Sequence, residues 1–264
     1  MTAADDTCDP VLVSPMLVRL VAERATGALL RDTGTLYLVD GQVVHAESPA
    51  APGLEVLLTA SGRMRPEAWR RAVDRAGARG AVGRYLVDSG EVTGGELELC
   101  HLGAVHDAAF FALAPGKGPT RFRYGALHWI GPVRPVAARA LAREATRRRE
   151  LLDRIWPHPE VDTAPVVPVP DRPGLPVTVR QRALLGAADG FRTPGVIARL
   201  LGRPAFHTLV DVRRLAALGA VETPLAPAPR ETVPDWLARA SEQAAHPSDE
   251  ALLRRVRDAL EAMP

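Results

Sequence analysis

The sequence predicts an α+β chain that is mostly helical. A small antiparallel three-stranded sheet with helices around it comes first, then a compact helical unit, then C-terminal amphipathic helices. Three observations carry this. Apolar runs at 28–31, 35–39 and 42–46 alternate in period two and are separated by Asp32-Thr33-Gly34 and Asp40-Gly41. Most of the remaining chain repeats its apolar residues at helical spacing. Between 192 and 223, two short helical runs, a tight corner and an extended end follow in the order of a winged helix-turn-helix.

The elements follow in order. Residues up to about 9 are small and polar, as loose termini are. Ser14 and Pro15 cap and open a helix marked by Leu17, Val18, Leu20 and Val21. Asp40-Gly41 between alternating runs predicts a tight hairpin, because both turn positions need positive φ. Such a hairpin sets Leu38 opposite Val43 and Leu36 opposite His45 on one face, with Tyr37, Val39, Val44 and Ala46 on the other. Neither face is polar throughout, so both are expected to be covered. Gly53 begins a helix that Gly62 stops, and 66–78 and 82–89 form two more. Thr93 and Glu96 have capping-box spacing at the head of a longer helix. Residues 120–124 return as an edge strand, and 133–156 form a long Arg-rich helix broken by Pro157.

The stretch Thr26-Gly27-Ala28-Leu29-Leu30, then Thr35 through Asp40-Gly41 to His45-Ala46, then Gly53 opening a helix, resembles the PATAN domain. The likeness extends over 10–156, about half the chain. It implies a protein-interaction and signalling module without known catalysis, of a kind often joined to receiver or winged-helix domains. The 186–221 stretch resembles the small winged helix that follows such domains.

Residues 157–176 hold seven prolines and read as a stiff, extended spacer, so the domain boundary is expected there. The winged helix-turn-helix then occupies 177–225, beginning with a helix over 178–188 that turns Val179, Ala183, Leu184 and Ala187 inward. Thr193 caps the next helix, which carries Val196, Ile197, Leu200 and Leu201 and stops at Gly202. The second helix runs from about Ala205 to Leu218. Residues 220–222 extend as a strand. Residues 226–264 supply two amphipathic helices, around Trp236 and Leu237 and around Leu252, Val256, Ala259 and Leu260.

Charge narrows the function. The net charge of +2 is too small to imply nucleic acid by itself, but 177–223 holds seven arginines against Asp189, Asp211 and Glu222. The expected DNA-contact residues are Arg192, Thr193, Arg203, His207, Thr208, Arg213 and Arg214. Arg214 is placed to read guanine, Thr208 to meet a thymine methyl, and Arg203 and Arg213 to touch phosphate. Asp211 on the same face argues against this, since a carboxylate repels phosphate. The leading expectation is a transcription-linked regulator that binds DNA, with a protein partner at the PATAN-like domain. The alternative is a signalling adaptor making only protein contacts. Leu141, Ala145, Leu151, Leu152 and Ile155 could pair two copies as a homodimer.

Catalytic patterns are missing: there is no His-Glu-x-x-His, Gly-x-Ser-x-Gly or Gly-x-Gly-x-x-Gly. Cys100, His101 and His106 lack ligand spacing, so no metal or cofactor is expected. The Gly116–Thr120 turn lacks the upstream glycine of a phosphate loop. His45 is expected to pack or hydrogen-bond in the sheet. An enzyme would have to assemble groups distant in sequence into a polar pocket of convergent titratable side chains. No apolar run spans a bilayer and the N-terminus has no secretory pattern, so a cytoplasmic protein is expected. Heavy use of Arg, Ala, Gly and Pro, with Lys117 the only lysine, fits a GC-rich, actinobacterial-type genome.

Overall fold

A computed structural model describes residues 14–116, 118–169 and 175–222. The expected C-terminal helices at 226–264 therefore lie outside the described residues. The described residues form one compact unit.

Helix α1 (Pro15–Ala22) leads into strands β1 (Gly27–Arg31), β2 (Gly34–Val39) and β3 (Gln42–Glu47). Asp40 and Gly41 take φ of 50° and 75°, which is the tight turn the Asp-Gly pair predicts. Helices α2 (Leu54–Thr59), α3 (Pro66–Ala76), α4 (Val82–Asp88) and α5 (Gly94–Ala112) follow. The Thr93–Glu96 capping box is formed at the head of α5. Strand β4 (Arg121–Tyr124) pairs with β1, so the antiparallel sheet has four strands in the order β3-β2-β1-β4 rather than three.

The hairpin register departs from the expected one. Leu38 does face Val43, but a bulge at Val44 then sets Leu36 opposite Ala46 and Tyr37 opposite His45. Strict alternation cannot foresee the extra residue. Its consequence is that His45 leaves the row of Leu36 and Leu38, which pack in the core with Val43, Ala46 and the alanines of α5.

Helix α6 spans Ala138–Ile155, starting five residues later than expected. Pro135 disfavours helical geometry at Arg134, and the freed segment pairs Val136 with Val43 through two backbone hydrogen bonds. That bridge covers the otherwise open outer edge of β3.

After α6, the described part of the proline-rich stretch, 157–169, packs rather than standing clear as a spacer. A 3-10 turn (Pro159–Asp162) buries Val161, and Val166 is buried beside it in one cluster with Leu184, Ile197, Val212 and Leu215. Helices α7 (Val179–Ala187), α8 (Pro194–Leu200) and α9 (Ala205–Ala217) complete the unit. Thr178 and Gln181 form a capping box on α7, whose Val179 is exposed rather than inward. Val221 makes a single antiparallel bridge, to Pro168 of the proline-rich stretch. Helix α9 packs on α5, α6, α7 and α8. At the α8–α9 corner Gly202 has φ +61° and lies so close to Ala60 that no Cβ would fit. No helix of the described residues is long and apolar enough to cross a membrane.

Candidate functional site

Titratable side chains converge where β3, α5 and the segment between β4 and α6 meet. The bulge at Val44 supplies His45, α5 supplies His101, and the segment after Gly125 supplies His128. His45 Nδ1 lies 3.2 Å from His101 Nε2, and the His45 ring stacks on His128 with centroids 3.8 Å apart. Glu47 stands two residues beyond His45. Its Oε1 is 3.1 Å from His128 Nε2, and its Oε2 accepts from the Tyr37 hydroxyl at 3.0 Å.

The partners assign the ring hydrogens. The Ile130 N–H donates to His128 Nδ1, so His128 Nε2 carries the hydrogen that Glu47 accepts. The Val44 carbonyl favours a hydrogen on His101. His101 Nδ1 is buried with no hydrogen-bond partner among the described residues, and one hydrogen is shared between His101 Nε2 and His45 Nδ1.

Electrostatics agree with neutral His45 and His101 rings. Burial, with the neighbouring rings adding to it, pushes His45 down to about 2, and burial pushes His101 down to about 4. Burial and the Glu47 charge push Tyr37 up to about 12, so it stays a donor. The hydrogen bond from His128 holds Glu47 below the usual carboxylate range, against the opposing effect of burial.

The cluster opens on a cavity of about 260 Å³ lined by His45, Glu47, Glu55 and His128, with Trp69 and Trp129 as aromatic walls. The ring nitrogens of His45 and His128 and the Glu47 carboxylate offer atoms within 4.8 Å of one another, a spacing a metal ion could bridge. Two features oppose chelation. Rings tilted by only 21° hold their lone pairs in two nearly parallel planes, and His128 Nδ1 is already engaged by Ile130. The low pKa of His45 makes that ring a weak base. Ser48, the hydroxyl at the rim, already donates to the Thr33 carbonyl.

Sequence reasoning had singled out His45 and His101 without joining them, and missed His128 altogether. The available signal was a His-Trp-Ile run bracketed by Gly125 and Gly131 in a stretch with no helical period.

The expected DNA-contact residues lie elsewhere. Thr208 and Arg213 are buried on α9, so neither is placed to touch a duplex. Arg213 instead grips Asp162 at 2.6 and 2.8 Å, Asp153 at 3.0 Å and the Trp156 carbonyl at 2.6 Å. Asp211, expected on an exposed face, is buried against Arg180 at 2.8 Å. Arg192 bonds the Ala187 carbonyl and pairs with Asp189; Arg203 bonds the Arg180 carbonyl. Thr193 precedes α8 without a side-chain cap. His207 and Arg214 are exposed. Comparison with protein-family models, curated proteins and solved structures gives no match.

Proposed function

We propose that this protein is a non-catalytic regulatory adaptor: a PATAN-like module carrying a winged-helix-like unit that makes protein contacts. The observation that supports it is the placement of α9. The helix that would read a major groove is wedged against α5 and α6. Phe206, Leu209 and Val210 are buried with Phe110 and Leu152, and Arg148 lies 4.6 Å over the Phe206 ring. Only His207, Arg214 and Ala217 of α9 are exposed. The neighbouring surface presents apolar side chains suited to a protein contact. Val196 and Leu200, one turn apart on α8, face solvent, and Phe191 is 86% exposed. A transcription-linked regulator reading DNA through α9 would first have to undock that helix.

Fluorescence anisotropy with labelled genomic fragments over a salt series tests the reading. The adaptor shows no salt-dependent binding, while Phe191→Asp with Leu200→Asp reduces recovery of its protein partner on co-purification. Salt-dependent binding that disappears in Arg203→Ala and Arg214→Ala would overturn it.

A further inference from the structure

We propose that the open edge of β4 binds an acidic strand, an extended peptide segment whose residues alternate between carboxylate and apolar side chains. The first argument is the backbone. The Val136 bridge closes the outer edge of β3, whereas β4 pairs with β1 alone among the described residues. The Gly125 N–H donates to the Thr26 carbonyl at 3.0 Å, and the antiparallel ladder alternates from there. Arg123 and Arg121 therefore turn their N–H and C=O groups toward Ala28 and Leu30. Phe122 and Tyr124 turn theirs outward, at the spacing a further strand would use.

The second argument is charge. Arg121 and Arg123 are exposed and share one face of β4, and neither side chain makes an ion pair or hydrogen bond among the described residues. Asp32, beside the turn that leads into β4, already accepts from the Thr33 and Gly118 N–H groups at 3.0 and 3.3 Å. An added strand sets every second residue opposite these arginines, where carboxylates stabilise the pairing and like charges oppose it. A second copy of the chain is disfavoured for that reason, since antiparallel pairing of two β4 strands about Phe122 sets Arg121 against Arg123. The third argument is the opposite face. Tyr124 is 67% exposed and meets Phe122 edge to face at 4.7 Å, which offers a platform to the intervening apolar residues. This contact adds a surface to the adaptor reading and does not depend on the apolar residues of α8.

Fluorescence anisotropy of a labelled peptide of about eight residues, alternating Glu and Val, titrated with the full chain tests it. The peptide should bind with a dissociation constant on the order of 100 μM, weakening as salt rises. A peptide with Lys in place of Glu should bind about tenfold more weakly, and Arg121→Glu with Arg123→Glu should exchange the two preferences. Tyr124→Pro removes an outward donor without touching the β1 ladder and should weaken the Glu peptide about tenfold, against about threefold or less for Tyr124→Ala. Amide exchange followed by NMR locates the contact. The Glu peptide should slow the Phe122 and Tyr124 N–H groups and leave those of Arg121 and Arg123, already bonded to β1, little changed. Phe191→Asp with Leu200→Asp should leave peptide affinity unchanged, so this contact and the α8 surface fail separately. No binding of the Glu peptide, equal binding of the Lys peptide, or no slowing at Phe122 and Tyr124 would each overturn the proposal. Slowing of those two amides by self-association alone would assign the edge to a second copy and overturn it as well.

Discussion

His45 occupies its position because one residue, Val44, is extra in β3, and burial there makes its charged form costly. The same holds for His101. Both rings are neutral in the folded chain, with pKa values near 2 and 4, against 6.5 when unfolded. Between those limits the unfolded chain binds more protons, so stability is full above pH 6.5 and falls as pH drops through that value. Each ring contributes up to about 1.4 kcal/mol per pH unit. Glu47, whose pKa is depressed, adds its own loss only below its ordinary value of 4.5. Urea unfolding at pH 7, 6 and 5 should therefore show stability falling by about 2 kcal/mol or more per unit below pH 6. His45→Phe should roughly halve that slope. A flat profile would mean that the rings are charged or solvated in the folded chain.

At the scale of elements, the termini that could be read from sequence are those that cap themselves. Thr93–Glu96 and Thr178–Gln181 each close their own first turn, and Asp40-Gly41 makes its own hairpin. Local patterns report local hydrogen bonds. Helix α9 is different. Its N-cap position is Pro204, which caps nothing, and the carboxylate of Asp107 on α5 accepts from the Ala205 and Phe206 N–H groups at 2.6 and 2.8 Å. A cap supplied 98 residues away leaves no sequence signal, and neither does the bridge from Val136 to the edge of β3. Asp107 is 1% exposed, so Asp107→Ala strands two buried donors at the head of α9. A loss of about 2–3 kcal/mol should appear as a lower urea midpoint with unchanged slope. Asp107→Asn keeps one acceptor and should fall between the two. A neutral Asp107→Ala would mean that α9 is held by its apolar face alone.

The whole molecule explains why the buried and exposed residues of α9 could not be told apart in the sequence. Viewed alone, residues 205–217 show an apolar stripe with Asp211, Arg213 and Arg214 beside it, the pattern of an exposed basic face. In the folded chain α9 is covered on almost every side, with Thr208, Asp211 and Arg213 buried among its apolar residues. What distinguishes Arg213 from Arg214 is therefore not chemistry but surroundings contributed by α6 and the proline-rich stretch, which periodicity within one helix cannot register. Arg213 is 2% exposed, and its fork meets Asp162, whose pKa burial raises despite the guanidinium, with Asp153 and the Trp156 carbonyl beside it. It ties α9 to the end of α6 and to the turn at Pro159–Asp162. Removing one partner of a buried pair leaves an uncompensated charge, so Arg213→Ala should cost about 3–5 kcal/mol. Arg214→Ala, at an exposed position on the next residue, should stay within about 0.5 kcal/mol. A phosphate-contacting role predicts the opposite pattern: little change in stability for either variant, and a shared loss of DNA affinity. Denaturant midpoints and anisotropy on the two variants together therefore separate an arginine that holds this fold from one that reads a partner.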